Sequence, residues 1–175
     1  PERQNIKDHK PVLINNALIL FVGDLNFYAK GKSRINAMKQ LGATVIGLPH
    51  TPLGRDETGT SNISLYFRIA WKLGFHLDTE NVNCTILDIM RLKKPDILWI
   101  EKGNMINPST LKAVHNISPT TKICAYSDDD MFHVTNHTWS YMKSLPHYDV
   151  VFVTKSYKYL NKFLIFFFHL FNTSW

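Results

Sequence analysis

The chain has 175 residues, 45% of them hydrophobic and 19% charged. That is enough for one domain with its own core, and the composition excludes disordered, collagen-like and coiled-coil classes. Lys and Arg number 20 against 14 Asp and Glu, a net charge of +6 spread along the chain, which reads as a mildly basic surface suited to anionic ligands or a membrane face, and not to nucleic acid.

Residues 17–22 (ALILFV) form a continuous apolar run closed by Gly23, the pattern of a strand buried on both faces. Residues 33–41 carry Ile35, Met38 and Leu41 at helical spacing, and Gly42 stops them. Residues 44–48 (TVIGL) are the next strand, ended by Pro49. The unit is β-α-β, so the strands run parallel with a right-handed crossover. Residues 50–62, rich in Gly, Thr and Pro, read as a loop. Residues 63–75 read as an amphipathic helix and 82–92 as a second one, stopped by Pro95. A third strand at 96–100 (DILWI) precedes a helix at 108–114, which opens on Pro108 as helices prefer. A fourth strand at 121–126 (TKICAY), a short helix at 138–144 and a fifth strand at 149–153 (DVVFV) complete the pattern. Strands alternate with helices throughout, which predicts an α/β, Rossmann-like, doubly wound and mostly parallel sheet with helices on both faces. Residues 1–157 make this domain. The apolar tail at 158–175 holds five of the eleven Phe within residues 163–171, and it reads either as a closing helix or as a truncation product.

Cys84 and Cys124 sit in apolar stretches outside any CxxC or Cys/His spacing, and read as buried reduced thiols. With polar residues at 1–10, this leads to the expectation of a cytoplasmic protein, at most peripheral at the inner membrane face. The five N-x-S/T sequons, Asn83 among them, then read as chance matches.

In a doubly wound sheet, ligands bind beyond the carboxyl ends of the strands. Strand one is followed by Gly23, Asp24 and Asn26, strand three by Glu101, Lys102, Gly103 and Asn104, and strand four by Ser127, Asp128, Asp129 and Asp130. The Asp triplet demands an offset: a metal, a basic neighbour, or the amides of the next helix, for which it would act as N-cap. Consecutive side chains rarely converge on one ion, so no metal and no cofactor is expected. His133 and His137 are four apart, but no HExxH pattern or third ligand accompanies them. Dinucleotide, P-loop and G-x-S-x-G fingerprints are absent, which leaves ATP hydrolysis and acyl transfer without support.

Four segments carry a resemblance. They are ILFVGDLNFYAKGKSR (19–34), KKPDILWIEKGNMINPSTL (93–111), KICAYSDDDMF (122–132) and SLPHYDVVFVTKSY (144–157). Their order and spacing resemble the N-terminal domain of bacterial GT-B glycosyltransferases, the spore-maturation-protein-like relatives of the family 4 class. The resemblance implies two Rossmann-like domains across a cleft, with the nucleotide sugar held mainly by the C-terminal one and the sugar acceptor by the N-terminal one. It also implies transfer without a bound metal, because helix dipoles and basic side chains can stabilise the departing diphosphate. The matching positions, taken as substrate-binding, are Gly23, Asp24, Asn26, Glu101, Lys102, Gly103, Ser127, Asp128, Asp129, Lys155 and Tyr157. After Tyr157 the resemblance stops where the family continues into its donor domain. The expectation is therefore a half-enzyme, inactive alone, that meets a nucleotide sugar only when a donor domain is supplied. The alternative is a non-catalytic flavodoxin- or receiver-like binding module. Receivers, however, place an Asp after strand three, where this chain has Glu101.

Overall fold

The computed structural model describes residues 14–51, 65–131 and 133–154. Among the described residues ten strands and α-helices follow one another: β1 (Leu18–Gly23), α1 (Gly31–Gln40), β2 (Thr44–Pro49), α2 (Leu65–Lys72), α3 (Val82–Lys93), β3 (Ile97–Glu101), α4 (Pro108–Ile117), β4 (Lys122–Ser127), α5 (Trp139–Ser144) and β5 (Val150–Val153), with a 3-10 turn at Leu145–His147 between the last two. The strands form one sheet in the order β2-β1-β3-β4-β5, and every pairing is parallel. The α/β, Rossmann-like reading is thus the observed fold. The chain leaves β1 toward β2 and then returns past β1 to β3. Right-handed crossovers therefore put α1 on one face of the sheet and α3 and α4 on the other.

The second face carries the main core. Leu20, Val22, Leu98, Ile100, Ile123 and Ala125 meet Val82, Ile86 and Met90 of α3 and Leu111 and Val114 of α4, all of them buried. Toward α1 the sheet presents Phe21, fully buried, and a stacked row of rings across three strands. Trp99 lies 5.7 Å from Tyr126 and 5.6 Å from Phe152, centroid to centroid. Gly47 of β2 lets α1 approach, since a Cβ there would stand 3.2 Å from Ile35 Cδ1.

Two acidic residues that open predicted strands do a different job. Asp96 Oδ2 accepts from Leu18 N at 2.8 Å, and Asp149 Oδ2 accepts from Ile123 N at 2.8 Å. Each carboxylate satisfies a backbone donor at the amino end of a neighbouring strand, where the ladder has no further carbonyl to offer. The helix read over 63–75 is shorter than expected, ending before Gly74, whose φ is +81°. Its apolar side chains are not buried as an amphipathic reading requires, for Leu65 and Tyr66 are each 71% exposed. The helix does carry a polar side, with Arg68 and Lys72 one turn apart, yet its apolar residues Leu65, Tyr66 and Ile69 stay exposed. No helix among the described residues is long and apolar enough to cross a membrane.

Candidate functional site

The carboxyl ends of β1, β2, β3 and β4 open into a cavity of about 420 Å³. One wall is Asp24, His50 and Thr51, another is Arg34, Glu101, Tyr126 and Asp128, and Tyr28, Trp71, His76 and Asn104 are also in the lining.

Arg34, one turn into α1, crosses this end of the sheet. Its guanidinium donates to Glu101 Oε1 at 2.7 Å, to Asp128 Oδ1 and Oδ2 at 2.7 and 3.0 Å, and to Tyr126 Oη at 3.2 Å. It also stacks 4.4 Å from the centroid of the Tyr126 ring. Planar, forked and always charged, Arg is the side chain that can serve two carboxylates and a ring together. Burial pushes the Glu101 carboxyl above its ordinary range, although Arg34 opposes the shift. Burial acts in the same direction on Asp128, but the Arg34 hydrogen bonds outweigh it and hold that carboxyl low. Gly23 makes room for the arrangement, since a Cβ there would stand 2.9 Å from Glu101 Oε2 and 2.7 Å from Phe21 Cε1.

Asp24 is held from one side. Its Oδ1 accepts from Asn26 N at 3.0 Å, from Asn26 Nδ2 at 2.8 Å and from Thr51 Oγ1 at 2.9 Å. Burial alone would raise its pKa, but these bonds bring it below the ordinary value. His50 stands beside it, buried, with Nδ1 lacking a hydrogen-bond partner among the described residues. Burial drives this imidazole down to about 4 even though Asp24 pulls the other way. At neutral pH the pair is therefore a carboxylate next to an uncharged ring.

Lys102 adopts left-handed backbone, φ +52°, a conformation that non-glycine residues rarely take outside tight functional turns. Its Nζ lies 2.7 Å from Asp129 Oδ2. Gly103 passes beneath Tyr148, whose Oη would be 2.6 Å from an added Cβ. Asn104 anchors the turn: Nδ2 donates to Asn136 O at 3.0 Å, and Oδ1 accepts from Thr138 N at 3.0 Å.

The expected site residues are thus largely brought together. Asp24, Glu101, Lys102, Ser127 and Asp128 line the cavity. Gly23, Asn26, Gly103 and Asp129 stand behind it, shaping the turns or pairing with the lining. Lys155 and Tyr157 lie outside the described residues, as does the tail at 158–175. Two expectations change. Asp128 and Asp129 of the triplet are offset by Arg34, Lys30 and Lys102, the basic neighbours among the expected offsets, and the triplet does not cap the next helix; α5 is capped by Thr138, whose Oγ1 accepts from Tyr141 N at 3.1 Å. Cys84 is exposed while Cys124 is buried, because Cys84 sits on the outer side of α3 next to the inward Asn83. His133 and His137 lie in turns, where their Nδ1 atoms bond Thr135 Oγ1 and Met131 O. Among the described residues no group of three or more His, Cys, Asp or Glu is placed to hold a metal.

Arg34, His50, Thr51, Trp71 and His76 were not among the expected residues. The rule that found Asp24 also applies to β2, and it would have flagged His50 and Thr51 directly after Pro49. Arg34 was signalled only indirectly, by three carboxylates in need of a counter-charge.

No family model and no curated protein matches the sequence. Solved structures do match. One is an alpha-glucosyltransferase in complex with UDP and a 13-mer DNA containing an HMU base, at 16% identity and TM-score 0.47, covering 87% of this chain and 39% of that one. The same enzyme with a DNA carrying a central A:G mismatch matches at 13% identity and TM-score 0.47, covering 79% and 37%. A response regulator from Burkholderia pseudomallei, with a phosphorylated aspartic acid, calcium ion and citrate, matches at 11% and 0.40, covering 85% and 65%. The chain therefore spans well under half of the glucosyltransferases it matches. At these identities the likeness concerns the fold, a Rossmann-like sheet found in glycosyltransferases and receivers alike. The exclusion of nucleic acid does not stand. Neighbours of this fold were solved in complex with DNA, and a spread net charge does not decide against such a partner.

Proposed function

We propose that this chain is the acceptor-side domain of a GT-B-type glycosyltransferase, working with a donor domain that holds the nucleotide sugar. The observation that carries the reading is the charge balance of the cavity. Its cations, Lys30, Arg34 and Lys102, face the carboxylates of Asp24, Glu101 and Asp128 in its lining. Arg34 is already saturated by Glu101 and Asp128, and Lys102 is paired with Asp129. A diphosphate needs unspent positive charge or helix amides, whereas a neutral, hydroxyl-bearing acceptor needs polar groups of both kinds beside apolar rings. This cavity meets the second requirement across most of its lining, while the uncapped N-terminus of α1 at Lys30 and Gly31 is the place where it offers helix amides. The motif order of residues 19–157 adds support.

The receiver alternative has one observation in its favour, the strand order shared with receiver-type sheets. The group in the phosphoacceptor position, Glu101, is buried and bonded to Arg34 at 2.7 Å, which leaves its carboxylate little room to attack a phosphodonor.

Incubating the purified chain with UDP-glucose and GDP-mannose tests the proposal, and no release of nucleotide is expected. Turnover by the chain alone would refute the half-enzyme reading. A parallel incubation with acetyl phosphate should leave no acid-labile label, and a label would establish the receiver.

A further inference from the structure

We propose that the cavity binds an uncharged, hydroxylated ligand of pyranoside size, with Asp24 Oδ2 accepting a hydrogen bond from a ligand hydroxyl and Trp71 flanking its less polar face. This deepens the reading of the cavity as an acceptor site and rests on it.

The two oxygens of Asp24 are unequal. Oδ1 takes three hydrogen bonds, from Asn26 and Thr51, while Oδ2 takes none among the described residues. Asn26 is itself buried, so the donors that fix the carboxylate cannot swing away. The backbone is fixed as well. Gly31, the first residue of α1, packs against the Asp24 carbonyl so closely that a side chain there has no room. A carboxylate oriented through one oxygen presents the other as a pre-positioned acceptor, which needs a donor and in water finds one only transiently.

The neighbours of Oδ2 select the donor. A cationic ligand would gain from Asp24 but would also meet Arg34, Lys30 and Lys102 in the same space. A polyanion meets Glu101 and Asp128 and finds Arg34 occupied. A hydroxyl is neutral, donates to Oδ2, and can in turn accept from an imidazole N–H or an amide. His50 is uncharged near pH 7 and buried, with Nδ1 unpartnered among the described residues, and Asn104, whose amide already donates to Asn136 O, lines the same space. Trp71 and Tyr28 line the same space while remaining partly exposed. The Trp71 ring is steadied by His76, edge-on at 5.3 Å. Aromatic faces beside hydroxyl acceptors fit a ring that is apolar on its faces and polar around its edge. The cavity volume, about 420 Å³, falls at the small-molecule end of the roughly 300–1,000 Å³ range of ligand pockets.

Saturation-transfer NMR of the full chain tests this, with methyl α-D-glucopyranoside as the probe and UDP as the anionic control. Transfer to the glucoside is expected. Asp24→Asn should weaken its binding by about tenfold or more, the worth of one hydrogen bond to a charged acceptor. Trp71→Ala, a change at a partly exposed helix position, should also weaken it. UDP should show no dependence on Asp24. Absence of transfer to the glucoside in the unaltered chain overturns the proposal. So does equal glucoside affinity in Asp24→Asn at an unchanged melting temperature. Should that variant not fold, Trp71→Ala decides alone, and unchanged affinity there overturns it. The two readings fail separately. Turnover of UDP-glucose by the isolated chain sinks the half-enzyme and leaves the glucoside site standing. A silent glucoside with an inert chain sinks only the site.

Discussion

Replacing Arg34 by Met keeps the aliphatic stem and removes the charge that holds this end of the sheet together. Glu101 then loses a 2.7 Å partner while remaining buried, and Asp128 loses both of its short bonds. Breaking a fully buried pair from one side costs about 3–5 kcal/mol. The Arg34 side chain is 22% exposed and Asp128 is 31% exposed, so water offsets part of that loss. About 3 kcal/mol is a fair expectation, or roughly 6–12 °C in melting temperature for a chain of this size.

The pH dependence makes the argument sharper. Glu101 already titrates above its ordinary range, and without Arg34 it titrates higher still. The native state then binds a proton that the unfolded state does not, so stability falls as pH rises through that window. Asp128, held low by Arg34, contributes stability in the unaltered chain that is lost as pH falls. Both effects narrow the gap between variant and parent on acidification. Calorimetry at pH 7 and at about pH 5 reads the gap directly. Arg34→Lys should fall between the two, because an ammonium keeps the charge and loses the fork. A melting temperature within about 1 °C of the parent at neutral pH, or a gap that widens in acid, would refute the reasoning.

Other consequences follow from the same packing. His50 titrates at about 4 against an ordinary 6.5, so the native state binds fewer protons than the unfolded state between those values, and stability is lost as pH falls through them. His50→Gln should flatten that loss in urea unfolding followed across the same window. Gly103→Ala should cost about 1–3 kcal/mol by pressing a Cβ within 2.6 Å of Tyr148 Oη. The hydroxyl of Tyr148 is buried without a partner among the described residues, so adding Tyr148→Phe should recover most of that loss in chemical denaturation. Asn83→Ala should cost about 3 kcal/mol. Its amide donates to Asp78 and to Met105 O at 2.7 and 2.8 Å, and its oxygen accepts from Asn107 N and Thr110 at 2.9 and 2.8 Å, tying α3 to the start of α4. A thermal melt unchanged by Asn83→Ala would show that water replaces these bonds.

The sheet was legible because each strand is a short apolar run. ALILFV and TVIGL are followed by Gly23 and Pro49, which turn out to be the last residues of their strands. Parallel strands buried on both faces need no alternation, so a run alone announces them. The strand-end carboxylates were legible for a topological reason, since any doubly wound sheet turns those ends into a common crevice. Their partner was not. Arg34 lies 67 residues from Glu101 and 94 from Asp128, and no local pattern encodes that meeting. Nor does composition separate Cys84 from Cys124. Both have apolar neighbours, and only the rotation of α3, fixed by Val82, Ile86 and Met90 facing the sheet, turns one of them outward. Helix α2 is a different case. Its period, with Arg68 and Lys72 one turn apart, defines a face, but a period says only which side is apolar, not that another element covers it.

The charge arrangement also bears on how such a chain would take part in sugar transfer. A nucleotide diphosphate that took its counter-charge from Arg34 would have to draw it away from Asp128 and Glu101. That would leave two carboxylates, one of them buried, next to the incoming phosphates. The cost of stranding Glu101 is of the same order as the gain from a new phosphate contact, so the exchange has little net driving force. Lys30 does not change the balance, since its amine is 76% exposed and screened by solvent. On the proposed reading, the donor domain holds the diphosphate, and Asp24 Oδ2 is left to accept from a ligand hydroxyl.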